Sequence, residues 1–207
     1  MIQRKLVVLA TRNIGKIEEL KRILTAAEIE IDILGLKDFP EMPDVEETGK
    51  TFAENALLKA NQISEYTGLP ALADDSGICI DALGGAPGIY SARWAGSHGD
   101  DQANLEKVLA ELRELNNPAL GAQFKCAVAL VIPKHQNIDK CEIVREAEIV
   151  GEIVMEPRGL NGFGYDPIFQ PDGFTRTTAE LSAEIKDRIS HRGKALAAMI
   201  PEFGRLT

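Results

Sequence analysis

What is scarce in this chain already narrows what it can do. Its 207 residues include only three cysteines, Cys79, Cys126 and Cys141. They form no Cys-x-x-Cys pair, are odd in number and sit in apolar or strand-like surroundings, so reduced, structural thiols in a cytoplasmic protein are expected. No apolar run approaches the length that spans a bilayer, so no membrane partner is expected. The opening MIQRKLVVLATRN has too short an apolar stretch for a signal h-region and no cleavage pattern after it, and reads as a first core strand. Positive charge is in deficit, with 23 Lys and Arg against 32 Asp and Glu and a formal charge of -9. A general nucleic-acid-binding role is therefore excluded, because long polyanions are held by clustered cations and released counterions. A small anion, met by a few cations aimed at one point, is not. Internal repeats, low-complexity tracts and linkers are also missing.

What is present is an ordinary core-forming composition, 44% apolar and 27% charged. It predicts one domain over residues 1–207, with room for two lobes. Lys5 to Ala10 is a short Val/Leu run, followed by TRNIG and by KIEELKRILTAAE, whose Ile17, Leu20, Ile23 and Leu24 recur at helical spacing. IEIDILGL from Ile29 reads as a second strand and KDFPEMPDVEETG as an acidic, Pro-rich loop. Thr51 with Glu54 three residues on is a capping-box pattern, and Gly68 and Pro70 give a stop, so a helix is predicted from about Phe52 to Tyr66. PALADDSG and ICIDALGG read as two further strands, and a helix follows from about Gln102 to Leu115. AQFKCAVALVIP and CEIVREAEIVGEIV predict two long strands joined near 135–140 as a hairpin. A helix start falls near Thr178, and Ser190 is placed as the cap of a last helix. Strands and helices interleave, which makes the class α/β.

Four stretches carry chemistry. TRNIGK ends a strand and opens a helix, so its backbone N–H groups and the helix dipole suit a phosphate, with Lys16 as a point charge and Thr11 and Asn13 as further donors. It is neither a P-loop nor a dinucleotide fingerprint, and an ordinary strand-to-helix loop fits it as well. The acids of EETG and ADDSG form the second. A helix of some fifteen residues rises about 22 Å, and the extended residues after it run back about 25 Å. Asp75 thus comes beside Glu46 and Glu47, as carboxylates do around a Mg²⁺ bound mainly through a nucleotide's phosphates. Asp74 also fits a turn residue, and the glutamates fit solvated loop charges. In GFGYDPIF, two glycines let backbone approach a flat ligand, and Phe163 and Tyr165 suit stacking on a base; a hydrophobic turn fits too. In KDRISHRGKAL, Lys186, His191 and Arg192 gather cations near a helix start.

Taken in order, TRNIGKIEEL, EETGKTFAENALLKA, ADDSGICIDALGGAPGIYSARWAG, GFGYDPIF and SHRGKAL resemble the Ham1-type inosine triphosphate pyrophosphatase family over practically the whole chain. The resemblance implies a mixed central β-sheet flanked by helices, in two lobes with an active-site cleft between them. It implies hydrolysis of ITP, dITP and XTP to the monophosphate and pyrophosphate, removing them from the nucleotide pool, with Mg²⁺ as cofactor and in a homodimer. By motif, Thr11, Arg12, Asn13, Ile14, Gly15 and Lys16 contact the phosphates, with Lys59 beside them. Glu46 and Asp75 hold the metal, Asp75 is also the proton acceptor, and Ser76 touches the substrate. Phe163, Gly164, Tyr165 and Asp166 surround base and sugar, and Lys186, His191 and Arg192 complete base recognition. Arg12 stands where many relatives have glycine.

Such a hydrolysis needs a positioned water, a carboxylate to take its proton and positive charge on the departing pyrophosphate. Donors near Lys186, His191 and Arg192 would favour the 6-carbonyl of ITP and XTP over the 6-amine of ATP; GTP shares that carbonyl and needs another means of rejection. The expectation requires Asp75 to face a cavity shared with Lys16 and Arg192. A haloacid-type phosphatase is a rival, although its Asp-x-Asp is missing after the first strand, and a non-catalytic nucleotide sensor is another.

Overall fold

The computed structural model describes residues 5–134 and 139–206. Six strands form one mixed sheet in the order β2-β1-β3-β4-β5-β6, where β1 is Lys5–Leu9, β2 Ile31–Gly35, β3 Ala71–Ile80, β4 Gly121–Ile132, β5 Cys141–Ile153 and β6 Phe169–Pro171. The helices are α1 Ile14–Ala26, α2 Phe52–Thr67, α3 Asp101–Glu114, α4 Ala183–Ile189 and α5 His191–Met199, with short 3-10 turns between elements. This is the expected α/β class. The expected link near 135–140 lies mostly outside the described residues.

Contacts divide the chain into two compact units: Met1–Asp75, Cys126–Ala147 and Arg192–Thr207 over their described residues, and Ser76–Lys125 with Glu148–His191. In the first unit, β1 pairs in parallel with β2 on one side and β3 on the other, Leu9 facing both Gly35 and Leu72. The strand order therefore reverses at β1, and the crevice at the carboxyl end of such a strand is where open α/β sheets bind ligands.

Side chains alternate between two separate cores with the strand period of two. Val7, Leu9, Leu72, Cys126, Val128 and Leu130 pack with α1 and α5. Val8, Ala10, Ala71, Ala73, Ala127, Ala129 and Val131 pack with Ala56, Ala60 and Ile63 of α2. The alanines have no bulk to hold α2 away, so polar groups of that helix come close to β3.

Local signals explain the helix ends. Thr51 Oγ1 accepts from the Glu54 amide at 3.1 Å, and Gly68, at φ 69°, closes α2 in the left-handed conformation. The reciprocal half of the capping box is displaced by one residue, because Glu54 Oε2 accepts from the amide of Lys50. Asn13 caps α1 and Asp100 caps α3 in the same way.

The second unit centres on Ile78, Ile80, Val108, Leu112, Phe124, Ile153, Tyr165, Ile168 and Phe169. Its β5 and β6 pair antiparallel, Ile153 opposite Phe169. Three expectations change here and at its boundary. The two strands read from PALADDSG and ICIDALGG are one continuous strand, because Gly77 stays extended and lies against Gly88 and Ser91, where a Cβ would collide. The start near Thr178 is a single 3-10 turn, Thr178–Glu180. The last helix is preceded by a short helix not expected from the sequence, α4, capped by Ser182, while Ser190 stands immediately before α5, the position expected of it.

Candidate active site

The residues singled out by motif fall into two groups, one in each unit. In the first, the TRNIGK loop leaves β1 and opens α1. Its Thr11 Oγ1 accepts from the Asn13 amide and Asn13 Oδ1 from the Lys16 amide, both at 3.1 Å. Thr11 and Asn13 thus accept hydrogen bonds that shape the loop, and neither bond uses the Thr11 hydroxyl proton or the Asn13 Nδ2 donors. The amides of Ile14 and Gly15, in the first turn, have no intrahelical acceptor. Arg12 forms an exposed ion pair with Asp44 at 3.1 Å.

Asp74 is a strand residue and not part of a turn. Its Oδ2 lies 3.0 Å from Lys16 Nζ and 3.1 Å from Arg192 Nε, and Arg192 Nη1 reaches Glu19 Oε2 at 2.5 Å. Burial would raise the Asp74 carboxyl, but Lys16 and Arg192 overcome it and hold the group well below the usual carboxylate range. Thr11, Lys16, Asp74 and Arg192 line one cavity with Leu9, Leu20 and Leu196.

Asp75 is not among the side chains that line this particular cavity. One residue along an extended strand reverses the side chain's direction, and Asp75 meets α2. Asn55 Nδ2 donates to its Oδ2 at 3.1 Å, and Lys59 Nζ lies 3.3 Å from its Oδ1 and 2.7 Å from Glu47 Oε1. Burial raises the Asp75 carboxyl above its ordinary value against the pull of Lys59 and Lys16, so the field of Lys16 reaches both aspartates. Lys59 is lowered by burial but raised more by Asp75 and Glu47, leaving it above its usual range.

Glu47 and Asp75 converge on a single cation, and two carboxylates with open positions are what Mg²⁺ takes from a protein when phosphates and waters fill its shell. No set of three His, Cys, Asp or Glu side chains comes together for a metal among the described residues. The residues therefore fit an ion that arrives with its nucleotide better than a closed cage. Glu46 is exposed, while its half-buried neighbour Glu47 reaches Lys59.

The second group is organised by Asp166. Its Oδ2 accepts from the Phe163 amide at 2.8 Å and faces Lys186 Nζ at 2.5 Å, and its Oδ1 accepts from the Thr178 hydroxyl at 2.8 Å. Lys186 Nζ lies 4.9 Å from the centre of the Phe163 ring. The Gly164 amide donates to Asp101 Oδ2 at 2.9 Å. Tyr165 is buried and donates to the carbonyl of Ser91 at 2.8 Å, so its ring belongs to the core and does not serve as a stacking platform. His191 stacks on Phe124 with centroids 4.7 Å apart.

The sequence profile of the Ham1 family matches residues 7–202. The chain belongs to the Ham1 family. Among its relatives, proteins named dITP/XTP pyrophosphatase from Streptomyces avermitilis and Streptomyces coelicolor are 56% and 57% identical over 194 residues, covering 94% of this chain and 94% of each relative. A solved HAM1 protein from Coxiella burnetii superposes with a TM-score of 0.85 at 41% identity, over 97% of this chain and 99% of that one. The Ham1 protein of Staphylococcus aureus gives 0.81 at 38% identity, over 98% and 100%. Family membership accounts for the order of the five motifs. Four polar residues of this Ham1 chain are not among the site residues its motifs point to: Glu19, Asn55, Asp101 and Thr178. Glu19 and Asn55 are buried polar residues of otherwise amphipathic helices, and polarity on an apolar face is the signal that would have found them.

Proposed function

We propose that this protein hydrolyses non-standard purine nucleoside triphosphates, ITP, dITP and XTP, to the monophosphate and pyrophosphate. It does so with Mg²⁺, as a cytoplasmic homodimer in which residues 1–207 form one family domain. The observation that carries the reading is the buried Asp75 carboxylate, fixed beside Lys59 and Glu47 within the field of Lys16, in a chain more than half identical to proteins named for this reaction. No helix among the described residues is long and apolar enough to cross a membrane.

Asp75 accepts the proton of the attacking water. A carboxyl raised by burial is a stronger base than an ordinary one, and two anchored oxygens hold it in one orientation. As the bond between the α-phosphorus and the bridging oxygen breaks, negative charge passes to the departing pyrophosphate. Lys16, oriented by Asp74, and the Ile14 and Gly15 amides receive it, with Thr11, Arg12 and Asn13 shaping or extending that surface. Lys59 is placed to exchange its carboxylates for phosphate oxygens. Asp75 and a glutamate of the EETG loop, Glu46 by motif or Glu47 by its contact with Lys59, would hold Mg²⁺, which would neutralise charge on the triphosphate. Ser76 touches the substrate, and Phe163, Gly164, Tyr165 and Asp166 frame base and sugar, the last two by holding the loop. Lys186 and His191 supply base recognition, and Arg192, assigned to the base by motif, holds Asp74 beside Lys16. Pyrophosphate release measured across dITP, XTP, ITP, dATP and dGTP tests the reading. Fast release from the first three alone is expected; equal rates on all five, or no release, contradict it.

A further inference from the structure

We propose that Asn55 is a positioning residue that ties the EETG loop to Asp75 and fixes the direction of that carboxylate. The inference rests on the reading of Asp75 as proton acceptor. Asn55 is fully buried on the face of α2 that packs its alanines against the sheet. A carboxamide there is costly unless both its ends are paired. Both are: Nδ2 donates to Asp75 Oδ2 at 3.1 Å, and Oδ1 accepts from the Gly49 amide at 2.8 Å. The partners dictate which end is which, since an amide N–H needs an acceptor and a carboxylate needs a donor. One turn later on the same helix, Lys59 repeats the bridge with charge, joining Glu47 to the other oxygen of Asp75. The acidic loop is thus tied to Asp75 twice, once by a neutral group and once by a cation.

The close approach of loop and carboxamide is built in. A Cβ on Gly49 would lie 2.6 Å from Asn55 Oδ1 and 2.8 Å from Glu54 Cβ, so only glycine fits without displacing the bridge. The division of labour follows from chemistry. Lys59 is drawn to any phosphate that arrives, whereas the neutral Asn55 has no such competitor and keeps Asp75 aimed. Aspartate cannot replace it, because it has the shape but lacks the donor and places a second negative charge against Asp75.

The test compares wild type with Asn55→Ala, Asn55→Asp and Gly49→Ala in three measurements: steady-state dITP hydrolysis, thermal melting and hydrogen exchange of the Gly49 amide. Removing a group that aims a reacting side chain costs about tenfold to a hundredfold in kcat, with KM held within about twofold. The Gly49 amide should exchange at least about tenfold faster in Asn55→Ala while melting remains cooperative. Gly49→Ala crowds the carboxamide without touching Asp75 and should lower kcat in the same sense. If Asn55→Ala does not fold, Asn55→Asp and Gly49→Ala decide the matter. An active wild type matched in kcat by folded variants overturns this inference alone. A wild type that releases no pyrophosphate overturns the assigned activity first, and the inference with it.

Discussion

Asp74 and Asp75 are adjacent in the chain and serve opposite faces of β3, Asp74 meeting Lys16 and Arg192 and Asp75 meeting Asn55 and Lys59. The alternation of the strand resolves the repulsion that two neighbouring carboxylates would otherwise suffer. Each has its own cation, and the two environments push their ionisation in opposite directions, Asp74 down and Asp75 up. Two carboxyls so separated suit different roles, a permanent anion that orients lysine and arginine and, as proposed for Asp75, a base that exchanges a proton.

Asp75→Asn should therefore keep the fold and lose activity. Loss of a general base costs about 10²- to 10⁴-fold in rate. Pyrophosphate release together with an unchanged circular dichroism spectrum checks this, and near-normal turnover would remove Asp75 from the chemistry.

Asp74→Ala should instead act on stability. It leaves Arg192 and Lys16 without a shared buried partner, and breaking such a pair from one side costs about 3–5 kcal/mol. Urea unfolding reads the change as a lower midpoint at unchanged slope. A midpoint within error of wild type would show that Glu19 alone satisfies Arg192.

The two glutamates of the acidic loop should separate in a metal titration. Glu47 reaches Lys59 and Glu46 is exposed. If contact with the Asp75 cluster marks the ligand, Glu47→Gln raises the Mg²⁺ concentration needed for half-maximal rate by about tenfold or more, and Glu46→Gln changes it little. The reverse order would support the assignment drawn from the motif.

Asp166→Ala should loosen the GFGYD loop, because one carboxylate holds the Phe163 amide, Lys186 and Thr178 together. The expected result is a KM for dITP raised by about tenfold or more, with a smaller fall in kcat. A fall in kcat at unchanged KM would instead tie Asp166 to the chemical step.

Alkali should destabilise the protein through Cys126. Its thiol is buried and pushed up from 9.0 to about 12, chiefly by burial and secondarily by Asp74. A group raised on folding contributes stability that is complete below its unfolded value and lost as pH rises through the folded one. The loss should thus run from about pH 9 to 12, and Cys126→Ala should flatten it in denaturant melts taken across that range.

Much of this was legible in the sequence where local rules dominate. The cap at Thr51, the stop at Gly68 and the strand–loop–helix at TRNIGK all lie within a few residues of what specifies them. Asp74 was harder. Its partner Arg192 is 118 positions away, and only the register of β1 and β3 brings β3 to the end of the TRNIGK loop. Gly77 suggested a break, yet there it permits close approach of the segment around Ser91 with the strand unbroken. Tyr165 looked like a base platform because aromatic character is visible in a sequence and burial is not. Asn55 carries no local signal, because its partners, Gly49 and Asp75, lie on either side of α2 in the chain and meet only when the helix docks through its alanines.

The reaction proposed for this protein is one hydrolytic event that separates the nucleoside monophosphate from the rest of the triphosphate. Phosphorus-31 NMR of dITP with Mg²⁺ and the wild-type protein follows every product together. Pyrophosphate and dIMP rising in equal amounts from the first time point, with no dIDP, is the predicted result. Orthophosphate appearing with dIDP, or a bound triphosphate that persists unchanged, would contradict it.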